Sequence, residues 1–143
     1  MVRSSPTLIA RPAWYDRNPL VVWRQYSGAL VAPHSSTERW TYTVPAGKKA
    51  YLEVAFAYTT RRTTATTAAQ LTIIVSFTPS GGTTAAIMEL SHWDNTLYIS
   101  RTQNLAMSIV MLVGDTLNAT TSDASTGGTN DFIITAKLTE FDA

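Results

Sequence analysis

The chain contains no cysteine. Disulfide staples and thiolate metal centres are therefore excluded, and the redox compartment is left open. Charge is sparse as well, at 15% of residues against 45% hydrophobic, which describes a folded domain and not a disordered segment. No run approaches the roughly 20 consecutive apolar residues that a membrane span requires. The first residues show no charged-then-apolar leader, because prolines and arginines interrupt them, so a soluble product, unexported or released by lysis, is expected. No segment combines helical periodicity with helix caps. With 143 residues the chain is long enough for one domain with a substantial core.

What the chain has in abundance is threonine, about one residue in six. Together with Val, Ile, Tyr and Phe it favours strands. Trp40, Tyr42 and Val44 alternate with Thr41 and Thr43, and Pro45-Ala46-Gly47-Lys48 follows as a turn. Ala50, Leu52, Val54, Phe56 and Tyr58 are expected on one face of the next strand, with Tyr51, Glu53 and Thr59 on the other. Arg61 to Ala69 read as a polar loop. Leu71, Ile73, Val75 and Phe77 make a third strand, closed by Pro79-Ser80-Gly81-Gly82. Further strands are expected at Thr84–Leu90, Leu97–Ser100, Leu105–Val113, Leu117–Thr121 and Phe132–Leu138. A turn at His92–Asn95 and a loop at Ser122–Gly128 punctuate them. About eight short strands with a turn signal every ten or so residues predict an all-β fold, a single jelly-roll or β-sandwich domain.

Residues 1–36 differ in kind from the body at 37–143. Leu8, Ile9, Trp14, Tyr15, Leu20, Val21, Val22, Trp23 and Tyr26 are strongly apolar, and Pro6, Pro12, Pro19 and Pro33 forbid a long helix. Four arginines (Arg3, Arg11, Arg17, Arg24) face Asp16 alone, a net +3, whereas the body nets −2. Such a segment cannot bury its apolar side chains by itself. It reads as an extended arm that docks on another chain, with its apolar residues as anchors and its arginines paired to carboxylates. Leu20 to Tyr26 read equally well as an extra strand of the chain's own sheet. Four spaced arginines fall short of a nucleic-acid patch, so no direct nucleic-acid contact is expected.

Nothing in the chain spells out catalysis. His34 and His92 stand far apart and lack metal-ligand spacing. In Ser91-His92-Trp93-Asp94, neighbouring residues point in divergent directions and cannot form a relay. Asp123 and Asp131 flank a glycine-containing loop whose spacing departs from a calcium loop. Gly81-Gly82 and Gly127-Gly128 precede no helix and are turns. The expectation is a non-enzyme without cofactor or metal, and Trp93, in a loop, is the best candidate for an exposed contact.

Trp40-Thr-Tyr-Thr-Val-Pro-Ala-Gly-Lys-Lys-Ala50, Leu112-Val-Gly-Asp-Thr-Leu117 and Asp131-Phe-Ile-Ile-Thr-Ala-Lys-Leu-Thr-Glu-Phe141 resemble segments of small jelly-roll proteins of phage virions. The closest likeness is to the capsid decoration, or cement, proteins of long-tailed bacteriophages, trimeric with an N-terminal arm, as on thermophilic phage heads. That resemblance implies a homotrimer bound to the major capsid protein on the outer surface of the virion, stabilising the head against packaged DNA. A receptor-binding or carbohydrate-binding head of a tail structure, working through Trp93, is the alternative.

Overall fold

The computed structural model describes residues 19–31, 33–63, 70–92, 100–105 and 108–143. They form nine strands: β1 (Leu20–Val31), β2 (His34–Thr43), β3 (Lys48–Thr63), β4 (Leu71–Thr78), β5 (Ala85–His92), β6 (Ser100–Leu105), β7 (Ile109–Met111), β8 (Thr116–Asp123) and β9 (Thr129–Asp142). One sheet has the order β1-β9-β3-β6, with β7 continuing the β6 edge along β3; the other has the order β2-β8-β4-β5. All the pairings are antiparallel.

The pairings β1–β9, β2–β8, β3–β6/β7 and β4–β5 are nested like the two arms of one long hairpin whose tip is the Pro79–Gly82 turn. Rolling that hairpin brings β9 against β3 and β8 against β4, which closes two sheets face to face. This is the jelly roll expected from the spacing of strand and turn signals.

The core lies between the sheets and follows the period of two. Trp40, Tyr42, Ile73, Val75, Leu117 and Ala119 point in from one sheet, and Leu52, Ala55, Phe132, Ile134, Ala136 and Leu138 from the other. Asp115 locks one end. Its carboxylate accepts the Ser80 and Leu112 backbone N–H groups at 2.8 Å each, and its carbonyl accepts the Val44 N–H at 3.0 Å. Gly114 beside it takes φ 82°, and a Cβ there would come within 2.9 Å of Ser80 Oγ, so glycine is required.

Four sequence expectations are corrected. The boundary at residue 36 falls inside β2, because residues from Leu20 onward pair with β9 over the whole of β1. Leu20 to Tyr26 are thus a strand of the chain's own sheet. In β3 a bulge at Glu53 shifts the register, so that Leu52 faces Leu138 but Val54 faces Lys137. The extra residue inverts the alternation beyond it. Ala55, Ala57 and Thr59 are buried, while Val54, Phe56 and Tyr58 turn to the outer face. Arg61 to Thr63 continue β3 instead of opening a loop, since their backbone still pairs with β9 near Asn130 and Thr129. Finally, the strand expected at Leu105–Val113 is divided: β6 ends at Leu105, and β7 spans only Ile109–Met111 before the Leu112–Asp115 turn. Residues 64–69 and 93–99 lie outside the described set, and with them most of the expected loop and the Leu97 end of the short strand.

Candidate interaction surface

β1 is the edge strand of its sheet; among the described residues it pairs with β9 alone. Its side chains alternate. Val21, Trp23, Gln25, Ser27 and Ala29 are exposed on the outer face, while Val22, Arg24, Tyr26 and Gly28 are half-buried on the inner one. Trp23 is 55% exposed, Val21 50% and Val31 70%, high values for large apolar groups on a regular strand.

The inward residues of β1 are held by the body. Tyr26 stacks on Phe132 with ring centroids 5.2 Å apart, and the Arg39 guanidinium lies 5.1 Å from the Tyr26 ring and 5.6 Å from Phe132. Val22 packs against the core cluster. Arg24 lies 5.4 Å over the Tyr42 ring, and its Nη1 donates to the Trp23 carbonyl at 3.2 Å. Tyr42 Oη in turn donates to Glu140 Oε1 at 2.8 Å. Burial, together with the Glu140 carboxylate, pushes the Tyr42 phenol well above the ordinary tyrosine range.

Of the residues expected to bind a partner, the structure therefore divides the β1 set. Leu20, Val21 and Trp23 are exposed, whereas Val22, Arg24 and Tyr26 are committed to this chain's own packing. Arg3, Leu8, Ile9, Arg11, Trp14, Tyr15, Arg17 and Trp93 lie outside the described residues. A shallow depression of about 360 Å³ adjoins β1 on the outer face, lined mainly by Ser27, Ala29, Tyr58, Asp131 and Ile133. The sequence reading missed it. Its one visible sign is the run of small residues Ser27-Gly28-Ala29, which leaves the strand low at that point. Val110, Leu112 and Val113 are exposed as well.

The loop weighed as a calcium site is organised differently. Asp123 is 1% exposed. It accepts the Ser125 backbone N–H at 2.9 Å, the Ser125 hydroxyl and the Asn130 side-chain amide. These donors are protein groups, so the carboxylate fixes the turn between β8 and β9. His34 faces Asp123 across the β2–β8 ladder. Burial lowers the His34 pKa, with Asp123 opposing the shift and Arg39 adding to it. Among the described residues no three His, Asp or Glu side chains are grouped to hold a metal ion.

No family model matches the chain, and no curated protein does. Several solved structures align with it. A structure of Bacillus endospore appendages, described as a novel family of disulfide-linked pili, is 14% identical over 87% of this chain and 90% of that one, with a TM-score of 0.46. The infectious bursal disease virus Gx strain is 14% identical over 88% of this chain and 37% of that one, TM-score 0.36. The VP2 subviral particle of the same virus is 9% identical over 87% and 38%, TM-score 0.37. The chain thus spans little more than a third of the viral chains it aligns with. Likeness at this level carries no conclusion about function.

Proposed function

We propose that the chain is a structural protein of a virus particle, a decoration protein that trimerises and binds the major capsid protein on the outer surface of a phage head. The observation that carries this reading is the exposed apolar group at the start of β1, with Val21 and Trp23 on its outer face and Leu20 at its end, where the basic leading segment joins the body. A jelly roll carrying such a surface at one edge suits assembly. The resemblance of the 40–50, 112–117 and 131–141 segments to phage decoration proteins supports the same reading. Binding only to the assembled shell would stabilise that shell by mass action. In this mechanism Leu8, Ile9, Trp14 and Tyr15 serve as anchors and Arg3, Arg11 and Arg17 pair with carboxylates of the shell or of a neighbouring copy.

Co-sedimentation with emptied phage heads tests it. The full chain is expected to pellet with the heads, and a chain lacking residues 1–18 is expected to remain in the supernatant. Equal pelleting of both, or of neither, refutes the role assigned to the leading segment.

A further inference from the structure

Among the described residues the two sheets have four edges, and three of them carry features that discourage pairing with another chain. β2 is broken by two register shifts and carries Glu38 and Arg39. β5 pairs through a register shift at Val75/Ser76 and carries Glu89. β6 and β7 are short, at 6 and 3 residues, and are separated from each other. β1 carries one charge, Arg24, turned inward over Tyr42, and none of the other protections. It runs 12 residues without proline, lysine or a register shift against β9. Alternate residues of such a strand direct their N–H and C=O groups away from β9, a ready template for another strand.

We propose that β1 pairs antiparallel with β1 of a second copy about a two-fold axis, joining the two β1-containing sheets into one continuous sheet. The register follows from the faces. A two-fold perpendicular to the sheet must set outer residues opposite outer residues. Centring the axis on Tyr26 places Val21 opposite Val31 of the second copy, Trp23 opposite Ala29 and Gln25 opposite Ser27. Each exposed valine then meets an apolar partner. Each Trp23 lies over the small residue that borders the other copy's 360 Å³ depression. Arg24, the only charged residue of the strand, falls opposite Gly28, so no like charges meet. Trp23, Val21 and Val31 leave about 300 Å² of side-chain surface to cover on each copy. The paired backbones bring the total to about 1,000 Å², the lower bound for a specific contact.

This contact does not require the trimer proposed above, although trimers on three-fold positions of a shell meet one another across two-folds. The chain has no native thiol, so introduced cysteines report alone. Under mild oxidation, the full-length double variant Gln25→Cys/Ser27→Cys is expected to form a disulfide-linked dimer in high yield. The single variant Gln25→Cys should not, because its thiols pair directly only if the axis passes through Gln25. Trp23→Lys added to the double variant should reduce cross-linking at least tenfold while leaving the β-rich circular dichroism spectrum unchanged. Failure of the folded double variant to cross-link, efficient cross-linking of Gln25→Cys alone, or indifference to Trp23→Lys each overturns the proposal. None of these results bears on head binding by residues 1–18.

Discussion

Deleting Glu53 should leave the fold intact. In an ordinary strand, removing one residue turns every side chain beyond it to the opposite face. Here Glu53 is the surplus residue of a bulge: Leu52 faces Leu138 and Val54 faces Lys137, so its loss restores an uninterrupted ladder with β9. Ala55, Ala57 and Thr59 keep their buried places. On the other side of β3 the neighbouring strand is already interrupted between Leu105 and Ile109, which leaves slack to absorb the change. The losses include the Thr139 hydroxyl bond to Glu53 at 2.9 Å and the partly exposed Lys137–Glu53 ion pair. The hydrogen bond is worth about 0.5–1.5 kcal/mol and the ion pair about 0–1 kcal/mol. Their sum, about 0.5–2.5 kcal/mol, corresponds to a drop in Tm of about 2–9 °C for a domain of this size. Differential scanning calorimetry should show one cooperative transition within that range. A deletion variant that lacks a cooperative transition would refute the bulge. An inverted face would cost more than about 5 kcal/mol, on the scale of the total stability of a domain.

The same bulge orders two substitutions. Ala57→Leu overfills the core and should cost about 1–3 kcal/mol or more, while Phe56→Ala on the outer face should cost about 1 kcal/mol, both by urea denaturation; the reverse order would restore the simple alternation. Asp123→Ala strands the buried Ser125 and Asn130 donors and should cost about 2–4 kcal/mol, whereas Asp131→Ala should cost less than about 1 kcal/mol; equal effects would remove the turn-fixing role of Asp123. The lowered His34 pKa makes a pH dependence of definite sign. The unfolded state takes up the proton first, so His34 contributes stability above the ordinary histidine value of 6.5 that is lost as pH falls below it, until the folded-state pKa is passed. His34→Gln should flatten the stability profile between pH 7.5 and 5.5 relative to the parent chain, and an unchanged slope would contradict the burial of the imidazole.

Strands whose inward positions are apolar throughout were readable from the chain. Trp40 to Val44, Leu71 to Phe77 and Phe132 to Leu138 lie where their alternation placed them, and Pro45 to Lys48 turn as their composition requires. β1 was open to two readings because its inward face carries Arg24 between Val22 and Tyr26, which breaks the apolar period. Only the fold explains that arginine, by setting Tyr42 5.4 Å beneath its guanidinium. The bulge at Glu53 was hidden for a related reason. Val54, Phe56 and Tyr58 are larger and more apolar than the alanines that displace them, and the choice between faces is made by the register with β9, a long-range pairing that no local pattern encodes. Thr59, buried at 0%, was read on the opposite face for the same reason, whereas Thr121, buried at 2%, lies in phase with Leu117 and Ala119 as its alternation placed it. Of the candidate surface, the apolar character of Leu20, Val21 and Trp23 was legible. The depression beside Ser27 and Ala29 was not, since it is assembled from β1, β3 and β9.

The native mass of the purified protein, measured by light scattering on the full chain and on a chain beginning at Pro19, tests the central claim of self-assembly most directly. With a subunit of 15.6 kDa, the full chain should have the mass of a trimer or of two trimers joined through β1, and the shortened chain no more than that of the β1-paired dimer. A monomeric full chain, or a shortened chain that keeps the full-length mass, would contradict the account.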